Sequence, residues 1–224
     1  YILKEKKVKL ALAFTFKLDE ELNVISFDVE RARIKVKKNL TLDEAIQILE
    51  DGDSQEKLFY ILQRMNNIAR MLYRKRNPKG YLKKYMDFIP EIQREFTYFA
   101  NRYVAADSAK KNLNLIYKNQ LPKNSRSLYE ILDEFYSVSD GIEKITELTS
   151  SDKISNYSTI SRGNDLFDGG EYTQVTSPTR DLHSLLNQIL IINNYIDNEY
   201  IKDEQKQKLE KTLMLVNHYN DLKR

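Results

Sequence analysis

Glu171-Tyr-Thr-Gln-Val-Thr-Ser-Pro-Thr-Arg180, continued by Asp-Leu-His-Ser-Leu-Leu-Asn-Gln188, is the stretch on which the reading of this chain turns. Pro178 stands where a helix can start, because proline is tolerated in a first helical turn, and the hydroxyls of Thr176 and Ser177 suit the free N–H groups found there. Arg180 then falls one turn into the helix, where a guanidinium can donate two hydrogen bonds to phosphate oxygens beside the N–H groups of the helix start. Seen alone, the same residues only cap a helix, so the neighbouring sequence decides between the two readings.

C-terminal to this stretch, Thr179 to Asn198 is apolar enough for a buried helix, and an exposed helix is expected from about Lys202 to Arg224. On its N-terminal side, Asp140 to Gly170 is rich in Ser, Asn, Asp and Gly and predicts a loop-rich crossing with at most short helices. A turn is expected over Pro122 to Ser127, with a helix from near Leu128, and a long helix over Glu91 to Lys111. Leu58, Ile61, Leu62, Met65, Ile68, Ala69, Leu72 and Tyr73 recur at helical spacing and predict a helix over Gln55 to Arg76 that Asn77-Pro-Lys-Gly80 ends. Near-alternating apolar residues from Leu10 to Arg31, broken at Asp19 to Asn23, predict a β-hairpin. Arg33-Ile-Lys-Val-Lys could add a third strand, and Thr41 with Glu44 makes a capping box for a helix over Leu42 to Glu50. The fold class is therefore α+β: an N-terminal hairpin or sheet over residues 1–40, packed with several long amphipathic helices over 41–224. No internal repeat is evident.

Composition sets the outer limits. With 224 residues and 41% hydrophobic content the chain can bury a sizeable core. Zero Cys excludes disulfides, thiolate metal sites and cysteine nucleophiles. No apolar run approaches the roughly 18 residues of a membrane span, so a cytoplasmic protein with no membrane partner is expected. Lys and Arg total 36 against 33 acidic residues, a net charge of +3, so a nucleic-acid surface has to come from local clustering. The chain opens on Tyr1, not Met, and is read as part of a longer product.

The stretch 171–188 resembles the signature of the ribonuclease II/ribonuclease R family, the RNB domain, which reads roughly Tyr-x-(His/Gln)-(Phe/Val)-Thr-Ser-Pro-x-Arg-Arg-Tyr-x-Asp-Leu. Tyr172 through Pro178 fit it, as do Arg180 and Leu185. Ile92-Gln-Arg-Glu-Phe-Thr-Tyr-Phe-Ala-Asn101-Arg-Tyr-Val-Ala105 is similar to a family helix in register, Leu113 to Asn119 to its Ile-Tyr-Arg segment, Arg74-Lys-Arg76 with Gly80 to its Arg-x-x-Arg-x-x-Gly, and Leu40-Thr-Leu-Asp-Glu-Ala to its Leu-Thr-Tyr-Glu-Glu-Val. The matches run in family order over nearly the whole chain. By their own pattern Phe96, Phe99, Tyr103 and Val104 are core residues of an amphipathic helix.

The resemblance implies a partial RNB-type domain over 1–224 and a 3′-to-5′ exoribonuclease for single-stranded RNA. It implies Arg180 as a catalytic, phosphate-holding residue, Glu95 against the terminal nucleotide, and RNA contacts from Tyr172, Thr176 and Ser177. It also implies magnesium, held by aspartates that precede this part of the domain, so no metal ligand is assigned here, and the missing N-terminal segment becomes an expected partner. Asp19, Glu20 and Glu21 fall in the hairpin turn and most simply keep it solvated. Asp181, Leu182 and Ser184 replace the family's second arginine, tyrosine and aspartate, and Leu42 replaces the tyrosine implied to clamp terminal bases. Asp181 should weaken phosphate binding by repulsion. These changes make a non-catalytic RNA-binding or protein-interaction module of the same fold the alternative, and a helical scaffold without an RNA role a third. His183 and His218 are read as structural.

Overall fold

The computed structural model describes residues 5–52, 57–76, 90–120, 155–164, 167, 169–199 and 202–222. They form two compact units, residues 1–100 and 101–224, each with its own core. The expected turn at 77–80, the helix from Leu128, most of the crossing between Asp140 and Gly170 and the side chain of His218 lie outside the described residues.

In the first unit β1 (Val8–Leu18) and β2 (Val24–Lys35) pair antiparallel, with Phe16 opposite Phe27 and Leu10 opposite Arg33. Arg33 to Lys35 continue β2 and are not a third strand, because β1 is long enough to pair with them. Asp19 does more than keep the turn wet. Its Oδ1 accepts from the N–H groups of Glu21 and Asn23 at 3.0 and 2.7 Å, and its Oδ2 accepts from the Asn23 amide at 2.9 Å. Those hydrogen bonds, Asn23's side chain first, hold its carboxyl below the ordinary aspartate range. Leu22 takes the left-handed conformation the turn demands, φ 59°, and Lys75 donates to Glu21 O and Asn23 Oδ1 at 3.0 and 2.7 Å.

Helix α1 (Leu42–Asp51) has the expected capping box: Thr41 N–H donates to Glu44 Oε2 at 2.7 Å, and Thr41 Oγ1 accepts from Glu44 N–H at 3.2 Å. Gly52 closes it at φ 61°. Helix α2 (Lys57–Arg76) buries Leu62, Ala69, Leu72 and Tyr73 of the face that the spacing predicts, leaves Leu58 and Ile68 half-buried, and exposes Ile61 and Met65. Helix α3 (Pro90–Lys110) starts in the first unit, where Phe99 meets Phe16 edge-on at 5.2 Å, and runs into the second.

The second unit departs further from expectation. Ser155–Ser158 (β4), within the stretch where loop or short helices were expected, pairs antiparallel with Tyr117–Gln120 (β3). Four polar residues such as Ser-Asn-Tyr-Ser carry no periodic signal, and β4 is held by distant groups: Asn217 accepts from Tyr157 N–H at 3.1 Å and donates to Tyr157 O at 2.8 Å. Helix α4 (Leu182–Ile191) passes into a π-helical turn over Ile192–Asp197, and α5 (Asp203–Leu222) follows. Although most of α5 is exposed as expected, Leu213 is buried and Glu210 accepts from Thr159 N–H at 2.9 Å.

The depressed carboxyl of Asp19 favours folding fully above its unfolded value near pH 4 and loses that contribution as pH falls through the lower, folded value. Asp19→Ala should speed hydrogen exchange of the β1–β2 amides at neutral pH, and the difference from the natural chain should vanish toward pH 2; an equal difference at both pH values would contradict this role.

Candidate functional site

The signature strand is built from buried backbone that side-chain amides hold in place. Thr173 is fully buried, donates from Oγ1 to Ile116 O at 2.7 Å and pairs with Tyr117. Asn187 has no exposed surface. Its Oδ1 accepts from Ile116 N–H at 2.7 Å, and its Nδ2 lies 3.0, 2.8 and 3.1 Å from Ile116 O, Thr173 Oγ1 and Gln174 O. Asn101, also fully buried, accepts from Val175 N–H at 3.0 Å and donates to Tyr172 Oη at 3.1 Å. Gln188 donates to Val175 O at 2.7 Å. The Tyr172 ring stacks on Phe167 at 4.5 Å, and the Arg102 guanidinium lies 5.3 Å from the Phe167 centroid.

At this anchored strand's end the chain turns. Thr176 and Arg180 are exposed and Ser177 is half-buried. Ser177 Oγ lies 3.4 Å from an Arg180 terminal nitrogen. Pro178 to Arg180 are a turn, not helix, and α4 begins at Leu182. The expected placement of Arg180 one turn into a helix is therefore corrected: Arg180 precedes it. The reason is Asp181. Its Oδ1 accepts from Ser184 N–H at 2.6 Å, making it the N-cap, and a carboxylate is favoured at a helix start by hydrogen bonding and by the helix dipole. Ser184 Oγ in turn accepts from Ser177 N–H at 2.9 Å, while Ser177 O accepts from the N–H groups of Arg180 and Asp181. The N–H groups of Ser177, Arg180, Asp181 and Ser184 are thus engaged within the chain, and the side chains the turn offers a phosphate are the guanidinium of Arg180 and the hydroxyls of Thr176 and Ser177.

His183 is buried, stacks on Tyr157 at 3.5 Å between centroids, and has its Nδ1 4.0 Å from Asp181 Oδ2. Burial lowers its pKa, with Lys118 acting in the same direction and Asp181 opposing. Burial, with help from Asp181 and Tyr172, pushes the Tyr157 hydroxyl up to about 12. Both residues are neutral at physiological pH.

Glu95 belongs to the first unit, apart from the other four candidates. It is 1% exposed and its carboxylate takes both hydrogen bonds of one fork, from Arg76 Nε at 3.2 Å and a terminal nitrogen at 2.6 Å. The Tyr73 and Tyr98 rings lie 5.3 and 5.2 Å from the Arg76 guanidinium. Burial opposes the charge of Arg76, but Glu95 outweighs it and keeps the guanidinium above its ordinary value. The sequence reading gave Arg76 no role. Its signals were the likeness of Arg74-Lys-Arg76 with Gly80 to a family segment and a place on the margin of the apolar face of α2. Asn187 was likewise unassigned, although an asparagine in the apolar run of α4 is the mark of a polar group with buried partners.

Magnesium, which the resemblance implies, does not fit here: among the described residues no three His, Cys, Asp or Glu side chains gather as metal ligands. Leu42, at the position of the family's tyrosine, is exposed on α1. No helix of the described residues is long and apolar enough to cross a membrane.

The family model described as the RNB domain matches residues 2–197, and the chain belongs to that family. A search of curated proteins found no match. Among solved structures, the chain is similar to an active-site mutant of the Dss1 exoribonuclease from Candida glabrata, with 18% identity and a TM-score of 0.76 over 99% of this chain and 34% of that one. It is also similar to yeast Ssd1, a pseudonuclease, with 16% identity and a TM-score of 0.72 over 96% and 32%. A third likeness is to Mycoplasma genitalium RNase R in complex with ribose-methylated single-stranded RNA, with 15% identity and a TM-score of 0.69 over 94% and 41%. The likenesses establish the fold, and this chain spans well under half the length of each.

Asn187→Ala should strip partners from several buried backbone groups and cost at least about 2 kcal/mol in urea unfolding, whereas a loss within experimental error would remove its structural role. Arg76→Met leaves Glu95 charged and alone in the first unit and should cost about 3–5 kcal/mol, with a large part recovered in the Arg76→Met/Glu95→Leu double variant. Strict additivity of the two changes would show that they do not interact.

Proposed function

We propose that the chain carries the RNA-holding part of a 3′-to-5′ exoribonuclease that hydrolyses single-stranded RNA with magnesium, residues 1–224 forming one partial RNB domain of a cytoplasmic protein. The observation that carries the proposal is the turn 176–180: an exposed guanidinium beside the Ser177 hydroxyl, with Thr176 exposed one residue before, on backbone clamped by Asn101, Asn187 and Gln188. A rigid support keeps the guanidinium and hydroxyls in register for a phosphate without ordering them at the moment of binding. Arg180 holds the phosphate next to the bond that breaks, Thr176 and Ser177 donate to its oxygens, and Tyr172 meets the strand with its half-exposed ring. Glu95 contacts the terminal nucleotide, with Arg76 setting its orientation. RNase R of Mycoplasma genitalium, solved with single-stranded RNA, is a relative that takes this ligand.

In such an enzyme the metal activates water and neutralises charge developing on the phosphate. The described residues gather no carboxylates for it, so the role proposed for this chain is to bind and orient RNA, and the aspartate-bearing segment is a partner within the same domain. The second reading is a non-catalytic RNA-binding relative. The pseudonuclease likeness favours it, as do Asp181, Leu182, Ser184 and Leu42 in place of family residues.

Fluorescence anisotropy with a 5′-labelled oligouridylate should show Arg180→Ala weakening binding about tenfold. Incubation of the complete gene product with magnesium should shorten that RNA from its 3′ end, and Arg180→Ala should slow the shortening. RNA that is bound but never shortened would establish the non-catalytic reading, and no RNA binding at all would reject both.

A further inference from the structure

The antiparallel register of β1 and β2 gathers a row of cations on one face of the ribbon, whereas on the other face Asp28 and Glu30 are offset by Lys9 and Lys17. Side chains alternate along a strand, so Arg31, Arg33 and Lys35 share a face, opposite Leu12, Leu10 and Val8 of β1. Asp28 and Glu30 lie on the other face, opposite Thr15 and Ala13. At the turn end the basic face is core: Phe16 and Phe27 stack at 4.9 Å, and Val29 is buried. At the open end it is surface, with Leu10 70% and Val8 52% exposed, Arg33 and Lys35 exposed, and exposed Lys7, Lys37 and Lys38 close by in the chain.

We propose that this open-end face is a second binding track for single-stranded RNA, one that holds its backbone without regard to sequence. The proposal rests on the RNA-binding reading above and adds a surface that the signature does not contain. Charge complementarity selects the occupant: cations at every second residue stand about 6.8 Å apart along the strand, a regular row suited to an extended polyanion. Leu10 and Val8, each beside a cation on the neighbouring strand, give unstacked bases an apolar surface, which a duplex would not use. An anionic membrane is the poorer partner. Among the described residues the open end carries no aromatic residue and only two strongly exposed aliphatic ones, too little apolar area to enter a lipid interface. The back face, where Lys9 and Lys17 offset Asp28 and Glu30, offers the RNA no comparable row of unopposed cations.

The test compares Arg33→Gln/Lys35→Gln with the back-face pair Asp28→Asn/Glu30→Gln in the 224-residue chain, with the labelled oligouridylate titrated at several salt concentrations. All four positions are exposed, and hydrogen exchange of the β1–β2 amides checks that the hairpin is intact. Loss of two phosphate contacts should lower the slope of log affinity against log salt by about 1.4 and weaken binding about tenfold at low salt. The back-face pair should leave the slope unchanged. An unchanged slope in the basic-face variant, an equal effect from both pairs, or equally tight binding of the natural chain to phosphatidylserine vesicles would overturn the track. If Arg180→Ala weakens binding and the basic-face pair does not, the track fails and the signature reading stands. If the natural chain binds no RNA, both fail.

Discussion

The amide of Asn187 has no exposed surface and joins two segments that the chain brings from far apart: the backbone of Ile116, and the Thr173 hydroxyl with the Gln174 carbonyl. None of those groups has solvent as an alternative partner, so their hydrogen bonds have to be complete for the second unit to close. Asn101 does the same for Val175 from α3, Gln188 for its carbonyl and Asn194 for Asn114. The signature strand is therefore held largely by side chains, with β3 contributing the pairing of Tyr117 with Thr173 and a bond from Lys118 N–H to Tyr172 O. Everything exposed on the turn that follows, Arg180 above all, inherits its position from that polar core.

The first unit solves its buried-charge problem differently. Glu95 is removed from water, and its charge is tolerated because Arg76 meets it with a fork of two hydrogen bonds while two tyrosine rings flank the guanidinium. Such a pair costs desolvation on both sides, and its main structural effect is to dictate geometry. A carboxylate held at two points keeps its direction, which suits a group proposed to meet one end of a nucleotide. The two arrangements share a logic: a polar group of functional interest is fixed from behind by partners that are themselves buried.

Asp181 shows how one residue can mean different things at the two levels of reading. By Coulomb's law alone it is a negative charge beside a phosphate-binding arginine. In the structure its carboxylate satisfies the Ser184 N–H, starts α4 and leaves Arg180 in the preceding turn. Ser184 completes the change by taking the Ser177 N–H. The signature loop thus supplies its own carboxylate and hydroxyl to backbone donors that a phosphate was expected to meet.

Local physics was legible from the residues themselves. The pairing of β1 with β2, the Asp19–Asn23 turn and the Thr41–Glu44 capping box each depend on neighbours within a few residues and stand as expected, as does the half of the α2 face formed by Leu62, Ala69, Leu72 and Tyr73. The family was legible too, because Tyr172 to Pro178 and Arg180 are contiguous enough to be recognised. What the sequence could not decide was any feature whose cause lies far along the chain: the pairing of β3 with β4, whose residues show no strand periodicity, the start of α4 at Leu182, and the roles of Arg76, Asn101 and Asn187. An asparagine is equally at home in solvent and in a core, and only the partners brought to it by folding reveal which environment it occupies. Composition and pattern determined the elements and the family; tertiary structure decided which polar groups were buried together, because that depends on distances that sequence separation does not encode.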